Sequence, residues 1–157
     1  MATVLDRTDR RILALLQAKG RATNAEVAEA VNLSASACLR RIQKLEAEGI
    51  IAGYAALVDP RAVDLGLQVF VRVQLEKHDT TSVQHFVKSV QGWSEVMACH
   101  ALTGEMDYLL HIVVSDLEHF SRFLLDQLLN GSGVADVNSS FVLRTVKQTR
   151  ALPIIVG

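Results

Sequence analysis

Apolar residues recur at three- and four-residue spacing through the first third of the chain, then at two-residue spacing in much of the remainder. This predicts a helical head followed by a body in which strands and helices alternate. In the head, Asp6 is an N-cap with Leu5 before it and Asp9 three residues on, and Ile12, Leu13, Leu15 and Leu16 form an apolar stripe closed by Lys19 and Gly20. A first helix is expected from Asp6 to about Lys19. Thr23-Asn24-Ala25-Glu26 is a capping box that opens a second helix to about Val31, with Val27, Ala28 and Val31 inward. Asn32 tolerates a left-handed backbone, and Ser34 caps a third helix that ends near Glu48 before Gly49.

Two helices joined by a tight turn and preceded by a packing helix form a helix-turn-helix pattern. On the third helix Ala35, Cys38, Ile42 and Leu45 share the inward face, and Ser36, Ala37, Arg40, Arg41 and Lys44 the opposite one. Small side chains at the helix start let it approach base edges, and the cations that follow can grip phosphate. Ile50 to Val58 is rich in strand formers and is expected as a wing or connecting strand, with a domain boundary near residue 60.

The body, 61–157, reads strand, helix, strand, strand, helix, strand. Val69, Val71, Val73 and Leu75 alternate with Phe70, Arg72, Gln74 and Glu76. Val83, Phe86, Val87 and Val90 have helical spacing. Val96 to Leu102 and Asp107 to Val114 form a hairpin around Thr103-Gly104-Glu105-Met106. Leu117, Phe120, Leu124 and Leu128 mark a second helix, closed by Asn130-Gly131-Ser132-Gly133, and Val134 to Val146 is a long last strand, with Ala151 to Val156 able to add another. The fold class is therefore α+β, a helix-turn-helix domain (1–60) and a ferredoxin-like βαββαβ sandwich (61–157). Both alternating sets of Tyr108 to Val114 are mostly apolar. Helices cover one face only, so the other calls for a second copy of the sheet, and a dimer is expected.

The net charge of −1 argues at first against nucleic acid. Up to Pro60 there are 8 basic and 7 acidic residues, yet between Ser34 and Leu45 there are three cations and no carboxylate, so the local cluster outweighs the average. The two cysteines, Cys38 and Cys99, point to an intracellular protein and not a disulfide scaffold. No apolar run approaches the roughly 20 residues of a membrane helix, and the first residues lack an export signal. His78, His85, His100, His111 and His119 show no metal-ligand spacing. Gly131-Ser132-Gly133 follows a helix and so does not cradle phosphate.

Taken in order, Leu5-Asp6-Arg7-Thr8-Asp9, Gly20-Arg21, Thr23-Asn24, Cys38-Leu39-Arg40-Arg41, Gly49-Ile50-Ile51 and Gly53-Tyr54 form one recognisable set. Cys99-His100, Leu102-Thr103-Gly104, Asp107-Tyr108-Leu109-Leu110 and Ala151-Leu152-Pro153 continue it. Over essentially its full length the chain resembles the Lrp/AsnC family of feast/famine transcription regulators. The resemblance implies a winged helix-turn-helix joined to a RAM domain that binds amino acids at subunit interfaces, in dimers that commonly assemble into octamers. It also implies that Ser34, Ser36, Arg40, Arg41 and Lys44 belong to the DNA-reading helix, and Thr103, Gly104, Asp107 and Tyr108 to the effector loop; Glu105 stands where Asp is usual.

The chemistry of the loop agrees. An amino acid presents an ammonium, which Asp107 can accept, and a carboxylate, which backbone N–H groups around Gly104 can approach. Leu102 and Met106 would line an apolar pocket, which suits Leu or Met. The partners expected are thus double-stranded DNA, a small amino acid and further copies of the chain, in the cytoplasm, with no membrane, no metal and no cofactor beyond the effector. Two rival readings remain, a metal-sensing helix-turn-helix regulator and a ferredoxin-like dimeric enzyme; against the enzyme, no nucleophile with a nearby base or nucleotide fingerprint is found.

Overall fold

Three short polar side chains start the three helices of the head. In the computed structural model, which describes residues 4–130 and 133–156, Asp6, Thr23 and Ser34 hold extended backbone, and each side chain accepts from the N–H three residues on. These bonds satisfy donors that a helix start leaves open. Helix α1 spans Arg7–Ala18, α2 Asn24–Val31 and α3 Ala35–Ala47. Asp9 and Glu26 return the favour to the backbone N–H of Asp6 and Thr23, completing two capping boxes. Asn32 makes the turn between α2 and α3 at φ 57°. Ile12, Leu13, Val27, Ala28, Val31, Cys38, Ile42 and Leu45 form the core of the head. Ala35, expected inward, is exposed, because it is the first residue of α3 and precedes the turn that meets α1 and α2.

After α3 the chain departs from the expected strand. The N–H groups of Ile50 and Ile51 both return to the Leu45 carbonyl, at 2.9 and 3.0 Å, and their side chains pack on the helical core. From there to Val58 the backbone is irregular and enters no sheet among the described residues. Strand-forming side chains are not sufficient for a strand when no neighbouring strand supplies the ladder. Asp59 then caps a 3₁₀ turn, Pro60–Val63.

The chain divides into two compact units, Met1–Leu57 with Lys147–Gly157, and Val58–Val146. The split after Leu57 lies close to the expected break. The tail does not extend the sheet: the Leu152 N–H donates to Gln17 Oε1 at 2.6 Å, Gln17 Nε2 donates back to the Leu152 carbonyl at 3.1 Å, and Ile154 joins the core of the head. Gln17 thus offers one residue of the tail the paired bonds that a strand neighbour would give.

The second unit holds β1 (Leu67–Leu75), α4 (Thr80–Gln91), β2 (Val96–Ala101), β3 (Tyr108–Val114), α5 (Leu117–Arg122) and β4 (Val134–Phe141). The strands form one antiparallel sheet in the order β2-β3-β1-β4, the arrangement of a ferredoxin-like sandwich. Val69, Val71 and Val73 on β1 pair with Ile112, Leu110 and Tyr108 on β3. With Phe86, Val90, Phe120, Phe123 and Leu128 from the helix layer they make the core.

Three details differ from the expected pattern. Leu117 and Val87 are exposed. Helix α5 widens into a π-helical turn, Phe123–Leu128, in which the Leu129 N–H reaches back five residues to Leu124; the inward positions become Phe120, Phe123 and Leu128. Strand β4 stops at Phe141, opposite Val69; one further bond, from the Val142 N–H to the Gln68 carbonyl, uses up the end of β1. Of the loop expected at 130–133, Gly131 and Ser132 lie outside the described residues.

Candidate DNA-reading helix and effector loop

Helix α3 is positioned from both sides. Its inward residues Cys38, Ile42 and Leu45 are buried, and burial pushes the Cys38 thiol up, as for a small hydrophobe in a core. Its N-terminus is fixed by Asn24, whose Nδ2 donates to the Ala35 carbonyl at 2.8 Å. The capping-box reading of Asn24 missed this tie between α2 and α3.

The expected DNA-contacting residues fall into two groups. Ser34, Ser36, Arg40 and Lys44 are exposed, with the Ser34 and Ser36 hydroxyls 3.3 Å apart and Lys44 in a loose pair with Glu48 at 3.9 Å. Ala37 is half-buried. Arg41 sits on the flank of the helix and is engaged: its Nη1 donates to Asp6 Oδ2 and to Asp9 Oδ1, both at 2.7 Å. The Asp9 N–H first, and the Arg41 guanidinium next, hold the Asp6 carboxyl below the usual carboxylate range. Arg41 therefore joins α3 to the capping box of α1, and its charge is matched by two carboxylates. The bare outer face carries Arg40, Lys44 and two residues that sequence reasoning passed over, Leu39 and Gln43, both exposed.

The loop between β2 and β3 is closed by a bond from the Leu102 N–H to the Asp107 carbonyl at 2.8 Å. Leu102, Thr103, Gly104 and Glu105 are exposed, and Met106, Asp107 and Tyr108 half-buried. Gly104 turns the chain at φ +118°, with nothing within 4 Å of the position its Cβ would take. The backbone conformation, not crowding, is what selects glycine there. The Asp107 side chain is part-buried and already bonded: Oδ2 accepts from the Leu75 N–H at 2.7 Å, and His78 Nε2 lies 2.9 and 3.0 Å from its two oxygens. It thereby ties the end of β1 to the start of β3. A carboxylate has about four lone-pair sites, so acceptor capacity is left over. The Tyr108 ring packs against Phe86 with centroids 4.7 Å apart, which places it in the core of the sandwich, and burial pushes its hydroxyl up. A cleft of about 570 Å³ between α4 and the π-helical turn is lined by His85, Lys88, Trp93 and Asp126 among others; none of the expected loop residues borders it. Among the described residues no three His, Cys, Asp or Glu side chains converge on a common point, and no helix is long and apolar enough to cross a membrane.

The face of the sheet away from the helices carries Phe70 and Arg72 on β1 with Leu109 and His111 on β3. Phe70 and His111 stack with ring centroids 4.8 Å apart, His111 Nε2 lies 3.2 Å from Gln68 Oε1, and burial lowers the His111 pKa.

Comparison with known proteins matches both units. Residues 5–52 fit the winged helix-turn-helix DNA-binding model and residues 68–152 the Lrp/AsnC ligand-binding domain. The chain is 39% identical over 150 residues to the leucine-responsive regulatory protein of Escherichia coli strain K12, an alignment covering 96% of this chain and 92% of that one. A transcriptional regulator from Neisseria meningitidis, solved as its complex with L-Met, is 51% identical, with a TM-score of 0.92 over 96% of this chain and 97% of its own. An AsnC family regulator from Agrobacterium tumefaciens is 35% identical, with a TM-score of 0.89 over 95% and 97%.

Proposed function

The chain belongs to the Lrp/AsnC family of DNA-binding transcription regulators, whose helix-turn-helix is joined to an amino-acid-binding domain, and on that premise we propose that a small aliphatic amino acid, L-Met or L-Leu, is its effector. The observation that carries this reading is the 51% identity to a regulator crystallised with L-Met. The proposed site is the loop from Leu102 to Tyr108 where two copies of the chain meet. There Asp107 accepts the ammonium. The exposed ring of His78 can swing aside while the bond from the Leu75 N–H holds the carboxylate in place. Backbone N–H groups beside Gly104 face the carboxylate, Leu102 and Met106 enclose the side chain, and Thr103 and Glu105 form the rim. Tyr108 supports the site from below through its packing on Phe86. The DNA-facing set is Ser34, Ser36, Ala37, Arg40 and Lys44, with Arg41 as the brace.

The same reading makes the protein a cytoplasmic regulator with no catalytic role. It dimerises through the sheet face of Phe70, Leu109 and His111 and assembles further as a tetramer of dimers. Calorimetry of the intact chain against the twenty amino acids tests the effector. L-Met or L-Leu should bind most tightly, and Asp107→Asn, which keeps an acceptor for the Leu75 N–H but removes the charge, should weaken that binding at least 10-fold. Heat from none of the twenty would exclude amino-acid sensing.

A further inference from the structure

Helix α3 exposes a large aliphatic side chain where a solvated face would carry a polar one. Leu39 is 44% exposed although Cys38, Ile42 and Leu45 on the same helix are buried. Three residues separate it from Ser36 and four from Gln43, so on helical spacing it shares a surface with both and lies beside Arg40. Helical side chains lean toward the N-terminus, so on helical geometry Leu39 belongs to the same surface as the turn of Ala35 and Ser36. That turn is built from Ser34, Ala35, Ser36 and Ala37, four short side chains that allow a close approach. It is also the end of a recognition helix that meets base edges.

Arg41 contributes nothing to this surface, because Asp6 and Asp9 hold it on the flank. The outer face is left with the hydroxyls of Ser34 and Ser36, one large apolar group, one amide and the cations Arg40 and Lys44. In the major groove a base edge offers a single apolar group, the C5 methyl of thymine.

We propose that Leu39 is a specificity-determining residue that reads a thymine methyl in each DNA half-site. The proposal rests on the DNA-binding reading of α3, and its test separates the two. The intact chain is used to enrich duplexes from a random pool. In the consensus duplex each thymine is then replaced in turn by dU, which lacks only the methyl group. The wild-type protein should lose roughly 3- to 10-fold in affinity at one thymine per half-site, the range expected for burying one methyl and its surroundings. Leu39→Ala should bind the unmodified consensus weaker by a similar factor and be indifferent to dU at that thymine, while Leu39→Met, which stays apolar and about as large, should keep the discrimination. A Leu39→Ala protein that still distinguishes thymine from dU at that position would overturn the proposal, as would a wild-type protein indifferent to dU throughout. If the wild-type chain enriches no duplex, the DNA-binding reading itself fails and this inference with it.

Discussion

Arg40 and Arg41 are neighbours in sequence, separated by about 100° of helix rotation, and that rotation gives them different partners. Arg41 bonds two carboxylates of α1, whereas Arg40 stands on the exposed face. Arg40→Ala should therefore weaken binding to an enriched duplex at least 10-fold and lower the salt slope by about 1 per subunit that touches DNA, with the melting temperature unchanged. Arg41→Ala should lower stability by about 1 kcal/mol, the upper end for a partly exposed pair, and its loss of DNA affinity should be smaller. Thermal melting and fluorescence anisotropy on the two variants check this. Equal loss of affinity at unchanged stability would return Arg41 to the DNA-reading set. The sequence revealed that both residues lie away from the core; it did not reveal that Asp6 and Asp9, 35 and 32 positions earlier, come within reach of one of them, because that contact exists only once α1 and α3 pack.

At the scale of elements, what could be read in the sequence was what is local. Helix caps at Asp6, Thr23 and Ser34 rest on contacts three residues away, and the alternation along Leu67–Leu75 states its buried face directly. Less legible were the features that depend on a distant neighbour. Ile50 to Val58 has strand chemistry without a strand to pair with, β4 ends because β1 ends, and the tail near Leu152 is held by the amide of Gln17. The π-helical turn at Phe123–Leu128 also escaped, since its register changes to bring Phe123 under Trp93, with ring centroids 5.5 Å apart.

The cap of α2 carries a pH dependence. Lys19 and the Thr23 N–H and hydroxyl hold Glu26 down at about 2, from a usual 4.5. A folded-state pKa below the unfolded one contributes stability that is present above about 4.5 and lost as pH falls toward about 2. Melting temperature followed across that window should drop less steeply in Glu26→Gln, which keeps the box but not the charge, than in the wild type; parallel curves would show that the charge of Glu26 contributes nothing. The group is exposed, so the difference should be small, a few degrees at most.

For the whole molecule, the uncovered sheet face and the effector loop both call for a second copy of the chain. Burial lowers the His111 pKa from 6.5, so the folded state favours the neutral ring, which stacks on Phe70 beside Arg72. Stability from this group is present above about pH 6.5 and lost as pH falls below it, and covering the face with a partner sheet deepens the effect. Sedimentation should show the smallest assembled species dissociating as pH falls below about 6.5, and less so in His111→Leu. An assembly equally pH-sensitive in both would place the subunit contact elsewhere. The near-zero net charge fits this organisation, a near-neutral head with Arg40 and Lys44 on the outer face of α3 and a mildly acidic second unit. An effector of a DNA-binding regulator acts through the protein's affinity for DNA, so occupancy of the proposed loop site should alter that affinity. The most direct test is the affinity of the intact protein for an enriched duplex, measured with and without saturating L-Met and L-Leu. At least a 5-fold change is expected with one of them, about 1 kcal/mol of coupling, abolished in Asp107→Asn; identical affinity with and without both amino acids would overturn amino-acid control of DNA binding.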